Sequence, residues 1–183
     1  MEKTLEHNET AFFKKVLLLV MTALFAAMAC MATMVLVVPS PTGGYMNLGD
    51  TVVLLGAFLL GPVYGAIAGG VGPALADLLA GYTVYVPATL VIKALMGIVA
   101  GLLYRAVGKR WNVAGLVICG VTAESIMVMG YWLYDGFLMR SLAGSAVGIP
   151  SNLVQGVFGI AAAALLTLAL RKVPYVHRLF PEI

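Results

Sequence analysis

Four ionisable residues, Asp50, Asp77, Lys93 and Glu124, stand in sequence that is otherwise almost wholly apolar. An unpaired ammonium in a low-dielectric medium costs several kcal/mol, so Lys93 requires a carboxylate. Asp77 on the preceding segment and Glu124 on the following one are the expected partners. Such a pair is either a structural tie or part of a site that touches an anionic or hydrogen-bonding group. Glu124, inside "CGVTAESIMVMG", is also a candidate proton-coupling residue, or a protonated carboxyl bonded between helices. Asp50 precedes an apolar run, as a helix N-cap does. Asn47, Tyr85, Tyr131 and Trp132 add an amide and aromatic faces, and Asn152 and Gln155, three residues apart, share one helix face. Aromatic faces with polar edges suit a flat heterocycle whose ring atoms and hydroxyls need donors and acceptors. Trp132 is expected to stack on such a ring. The alternatives are an interfacial aromatic belt and amides bonded only to neighbouring helices.

Other chemistries find no support. "GGVGPALAD" is glycine-rich but lacks a P-loop lysine and a preceding strand, so it is no phosphate cradle. His7 and His177 lie in polar tails without metal-ligand spacing to Cys30 or Cys119. Both cysteines sit in apolar stretches and read as small packing residues. No serine has a His or Lys base at matching depth. A metal site, a resident cofactor and a catalytic centre are therefore not expected in this chain.

The elements that must position these residues follow from composition. The chain is 62% hydrophobic and 10% charged, with a mean hydropathy of +1.01, whereas soluble domains carry about 25% charged residues. Most of its surface must face lipid, which makes it an all-α integral membrane protein. Apolar spans fall at about 16–38, 50–60, 62–81, 87–107, 112–134 and 146–170, in a single membrane domain with polar tails at 1–15 and 171–183. The split within 51–81 is forced: one straight helix there would be ~46 Å long, and Gly61-Pro62 interrupts it. Six spans put both termini on one side with Lys3, Lys14, Lys15, Arg105, Lys109, Arg110, Arg171, Lys172 and Arg178, leaving Arg140 opposite. By the positive-inside tendency that basic side is cytoplasmic. The net charge of +3 is thus juxtamembrane and implies no nucleic-acid partner. Gly61/Gly65/Gly69 and Gly97/Gly101 recur every four residues and let helix backbones approach closely.

In this six-span, both-termini-inside bundle the polar set gathers at the outer ends, with Tyr82, Tyr134 and Asp135 nearby. Three blocks, "NLGDTVVLLGAFLLGPVYGAIAGGVGPALADLLAGY", "PATLVIKALMGIVAG" and "IPSNLVQGVFG", resemble the substrate-binding (S) components of energy-coupling factor (ECF) vitamin transporters. The similarity is to the riboflavin-transporter-like branch, which also includes pyridoxine and hydroxymethylpyrimidine proteins. The resemblance implies capture of one vitamin or precursor from outside a bacterial cytoplasmic membrane. It implies docking on a transmembrane coupling subunit carried by two cytosolic ATPases, where the ATP is used. Ala23 and Ala27 match the family's Ala-x-x-x-Ala contact with the coupling subunit, and residues 39–46 match its mobile lid. A pyridoxine-type compound or hydroxymethylpyrimidine is favoured, with riboflavin open. The rival from another class is a stand-alone proton-coupled carrier using Glu124.

Overall fold

Strong hydropathy demands long helices, and the computed structural model, which describes residues 2–108 and 110–180, consists of little else. Lys109 and the end of the expected tail, 181–183, lie outside the described residues. In chain order the elements are α1 (Glu2–Val35), the two-residue strands β1 (Val38–Pro39) and β2 (Tyr45–Met46), α2 (Gly49–Leu79), α3 (Val86–Leu103), α4 (Asn112–Leu138), α5 (Leu142–Ser145), α6 (Ile149–Leu170) and α7 (Pro174–Leu179). A π-turn, Tyr104–Gly108, ends α3, and a 3-10 turn, Ala146–Gly148, leads into α6. The polar opening is helical and continuous with the first apolar span within α1. Five helical segments among the described residues are long and apolar enough to cross a membrane: Phe12–Val35, Gly49–Leu79, Val86–Gly108, Asn112–Leu138 and Leu142–Leu170.

The second of these is a hairpin. Gly61 holds φ 81° and ψ −177°, a region that essentially only glycine enters, and Pro62 brings no N–H to continue the ladder. A Cβ on Gly65 would lie 2.6 Å from Ala57 Cα, and one on Gly69 2.8 Å from Val53 Cγ1. In a straight helix those pairs would stand roughly 12 and 24 Å apart along the axis. The arms 49–60 and 62–79 therefore run antiparallel, with the reversal at the dipeptide expected to interrupt the helix.

Small residues set the spacing of the neighbours. A Cβ on Gly97 would lie 2.8 Å from Ala66 Cα and one on Gly101 2.6 Å from Pro62 N, so α3 meets the second arm backbone to backbone. Ala26 and Ala29 of α1 face Gly72 in the same way, which leaves Ala23 and Ala27 exposed on the other side. The main core joins both flanks of the bundle through Leu54, Phe58, Met96, Cys119, Met127 and Ala163; a smaller one gathers Phe25, Leu55, Leu59 and Phe180. At the end bearing Arg105, the buried Tyr104 ring stacks on Phe58 with centroids 4.8 Å apart. Arg171 there donates to Tyr104 OH at 3.0 Å, Asn112 Oδ1 at 3.1 Å and the Gly108 carbonyl at 3.3 Å. That clasp ties α3, α4 and α6 together and leaves the opposite end to be built differently.

Candidate functional site

At that opposite end, polar side chains from all five long helices, Thr33 of α1 included, meet under the β1–β2 hairpin. The deepest contact is an ion pair between Lys93 of α3 and Asp50 of α2, both about 1% exposed. This corrects the expected partner, which was Asp77 or Glu124. It also corrects Asp50 as an N-cap: Leu48 occupies that position without a side-chain cap, and Asn47 Oδ1 accepts from the Gly49 amide at 2.8 Å instead. Asp50 reaches Lys93 because the hairpin at Gly61 returns its arm alongside the helix pair that carries the lysine.

The remaining valences of Asp50 are used with equal care. Gln155 Nε2 of α6 donates to Asp50 Oδ2 at 2.6 Å, and Gln155 Oε1 accepts from the Asn47 amide at 2.7 Å. Three elements are thereby locked around one carboxylate, consistent with the rule that a buried charge must be paired and hydrogen-bonded. Lys93 Nζ also stands 5.6 Å from the centre of the Tyr131 ring, and Tyr131 shares a 2.9 Å hydrogen bond with Thr89 Oγ1.

Above this floor the walls carry two more carboxylates, each met by a phenol. Tyr45 OH, from β2, donates to Asp77 Oδ1 at 2.6 Å. Tyr85 OH donates to Asp135 Oδ1 at 3.0 Å, with the Thr42 carbonyl at 3.2 Å as a second acceptor. Burial first, then the facing carboxylate, push both phenols well above the ordinary tyrosine range, so they remain donors. Ser151 Oγ donates to the Gly148 carbonyl at 2.7 Å and accepts from Ser40 at 3.1 Å. The hairpin is thus fastened to α2, α3 and α6.

Asn47, Asp77, Tyr85, Lys93, Tyr131, Asn152 and Gln155 all line the cavity under this hairpin, with Asp50 immediately behind Lys93 and Gln155. The open space at its centre is about 30 Å³, room for a water or two, whereas small-molecule sites run to several hundred Å³. A heterocycle enters only if the hairpin lifts and the tyrosine contacts give way.

Two expected residues lie elsewhere. Trp132 is turned away from the cavity, and its indole N–H donates to the Leu142 carbonyl at 2.9 Å. The aromatic faces that line the cavity instead include Tyr85 and Tyr131, whose rings are 6.5 Å apart. Trp132→Ala should accordingly leave ligand affinity within about threefold of wild type in a titration, where a stacked ring would cost about 1–3 kcal/mol. Glu124 is 4% exposed but not in the cavity wall; it lies against Gly156, Gly159 and Asp50, and neither of its oxygens has a hydrogen-bond partner among the described residues. Sequence reading passed over Tyr45, Thr89 and Asp135 as site residues. Asp135 was visible as a charge at the outer end of α4, and Tyr45 only as part of the 39–46 segment; nothing in the sequence marked Thr89.

Comparison with known proteins came out consistently. The family model for the ECF-type riboflavin transporter S component matches residues 13–172. An uncharacterised protein encoded in the gap 3′ region of Pyrococcus woesei is 34% identical over 76% of this chain and 92% of its own length. The thiamine precursor transporter HmpT of Lactococcus lactis subsp. cremoris is 29% identical over 71% of this chain and 72% of its own. Among solved structures, the S component for biotin from an ECF-type ABC transporter superposes with a TM-score of 0.61 at 19% identity, covering 84% of this chain and 92% of that one. The S component of a bacterial ECF transporter gives a TM-score of 0.61 at 21% identity over 85% and 95%. Those two likenesses speak to fold.

Proposed function

This chain belongs to the ECF-type riboflavin transporter S-component family, and from that premise we propose that it captures a small heterocyclic vitamin or precursor outside the cell and delivers it inward with ATPase partners. S components are vitamin-binding transport subunits, not enzymes, and work with a membrane coupling subunit and ATPases. The observation that carries the proposal is the roofed cavity in which α2, α3, α4, α6 and the β1–β2 hairpin each contribute a polar side chain.

The favoured cargo is a pyridoxine-type compound or hydroxymethylpyrimidine. Supporting it are the likeness to HmpT and the small size of the closed cavity. Riboflavin is the second reading, favoured by the description of the matching family model. In this scheme the chain sits in the cytoplasmic membrane, crosses it six times and keeps both termini inside. The Gly61 reversal supplies the extra crossing, and Arg105 and Arg171 gather at the inner end. ATP is used by the partners. Ala23 and Ala27, exposed on α1 while Ala26 and Ala29 pack inward, form the docking face for the coupling subunit.

The experiment separates capture from delivery. Ala23→Trp or Ala27→Trp should abolish uptake in cells holding the whole transporter, because a bulky ring keeps two backbones apart. Ligand affinity of the purified variant should stay within about twofold, since neither residue touches the cavity. Loss of binding in that variant would refute the docking role, and uptake at the wild-type rate would refute it equally.

A further inference from the structure

The walls of the cavity carry acidic groups that the ion pair on its floor does not match. Asp50 is matched by Lys93. Asp77 and Asp135, 4% and 3% exposed, are matched by no cation among the described residues; each has a neutral phenol instead. Beneath them Glu124, equally buried, faces Asp50 across Gly159, and neither of its oxygens is within hydrogen-bond geometry of a partner among the described residues. The remaining lysines and arginines in the described residues lie in α1's opening, at the Arg105 end or, for Arg140, on the exposed surface past α4. Four carboxylates thus surround one ammonium in a medium where an unmatched charge is costly.

Resting on the vitamin-capture reading, we propose that this site is selective for a positively charged or readily protonated nitrogen heterocycle, and that Asp77 and Asp135 are the residues that read it. A ring nitrogen bearing a proton, or an amino group beside it, supplies the donors and positive charge these walls lack. While the cavity is closed down to about 30 Å³, each phenol takes one oxygen of its carboxylate, Asp77 Oδ1 and Asp135 Oδ1. When the hairpin lifts, Tyr45 leaves with it, because it belongs to β2, and Asp77 is freed for a ligand donor. A carboxylate or phosphate on the ligand would instead meet two acidic side chains, with Lys93 already engaged by Asp50. Discrimination therefore runs on charge as well as shape, since a ligand without the donor leaves a buried carboxylate unpaired.

The test is calorimetric titration of the full-length protein in detergent with four probes: hydroxymethylpyrimidine, pyridoxine, riboflavin and biotin. Hydroxymethylpyrimidine or pyridoxine should bind at least about a hundredfold tighter than riboflavin, and biotin, an anion, should show no binding. Asp77→Asn and Asp135→Asn should each lower the affinity for the preferred probe by about tenfold or more. Tight riboflavin or biotin binding, with the basic rings weak, would overturn the charge proposal while leaving vitamin capture standing. Absence of binding for all four probes, with no vitamin released from the purified protein on denaturation, would overturn the capture reading itself. Because the ranking of probes is made on wild type, it holds even if an Asn variant fails to fold.

Discussion

Lys93→Met should strip the protein of most of its folded yield and lower its unfolding temperature sharply in detergent. The substitution leaves Asp50, about 1% exposed, with the amide of Gln155 as its one remaining side-chain donor among the described residues. Breaking a buried ion pair by removing one partner costs about 3–5 kcal/mol, chiefly because the other charge is stranded, and that is a large share of the 5–15 kcal/mol by which ordinary domains are stable. The cost falls where three elements meet, since the same carboxylate anchors α6 and, through Gln155, the segment that enters α2. Adding Asp50→Asn to Lys93→Met should restore much of the stability, as neither charge is then left behind. Melting and size-exclusion profiles of the single and double variants check this; a single variant as stable as wild type would show that the pair holds nothing together.

The partner of Lys93 was the least legible part of the site. Sequence reading ranks carboxylates by depth along neighbouring spans, which favours Asp77 and Glu124. Pairing follows instead from which faces meet, and Asp50 lies on the arm that the Gly61 reversal folds back. The reversal itself was legible, because a Gly-Pro step in an apolar run too long for one crossing admits few geometries. Gathering of polar side chains at one end was legible too, since burial restricts where they can go. Trp132 shows the limit from the other direction. Its indole needs an acceptor, and the short helix α5 presents the Leu142 carbonyl ten residues later, a turn that no periodicity announces. The partner of Tyr45, inside the 39–46 segment, was illegible for a related reason: in a short hairpin a side chain's neighbour is decided by how the hairpin sits, not by spacing.

Gly61→Val should cost both stability and ligand binding, although residue 61 lies at the far end of the bundle from the cavity. At φ 81° and ψ −177° a β-branched side chain is a genuine outlier, and such strain costs about 1–3 kcal/mol. A Cβ there would also stand 2.4 Å from Arg105 Nη2, but a guanidinium on a flexible stem can move aside, so backbone strain dominates. Relief of that strain lies in opening the hairpin toward a continuous helix. Opening pulls the Val53 side chain from Gly69 and the Ala57 backbone from Gly65. The two arms carry different parts of the site: the first ends in Asp50 and leads back to Tyr45, and the second carries Asp77. Any rotation between them parts Lys93 from Asp50 and Tyr45 from Asp77 together. Affinity for the preferred probe should therefore fall by more than tenfold, alongside a lowered unfolding temperature, with Gly61→Ala intermediate in both. A Gly61→Val protein that melts and binds as wild type does would mean that the reversal is not what brings the two arms' carboxylates to one cavity.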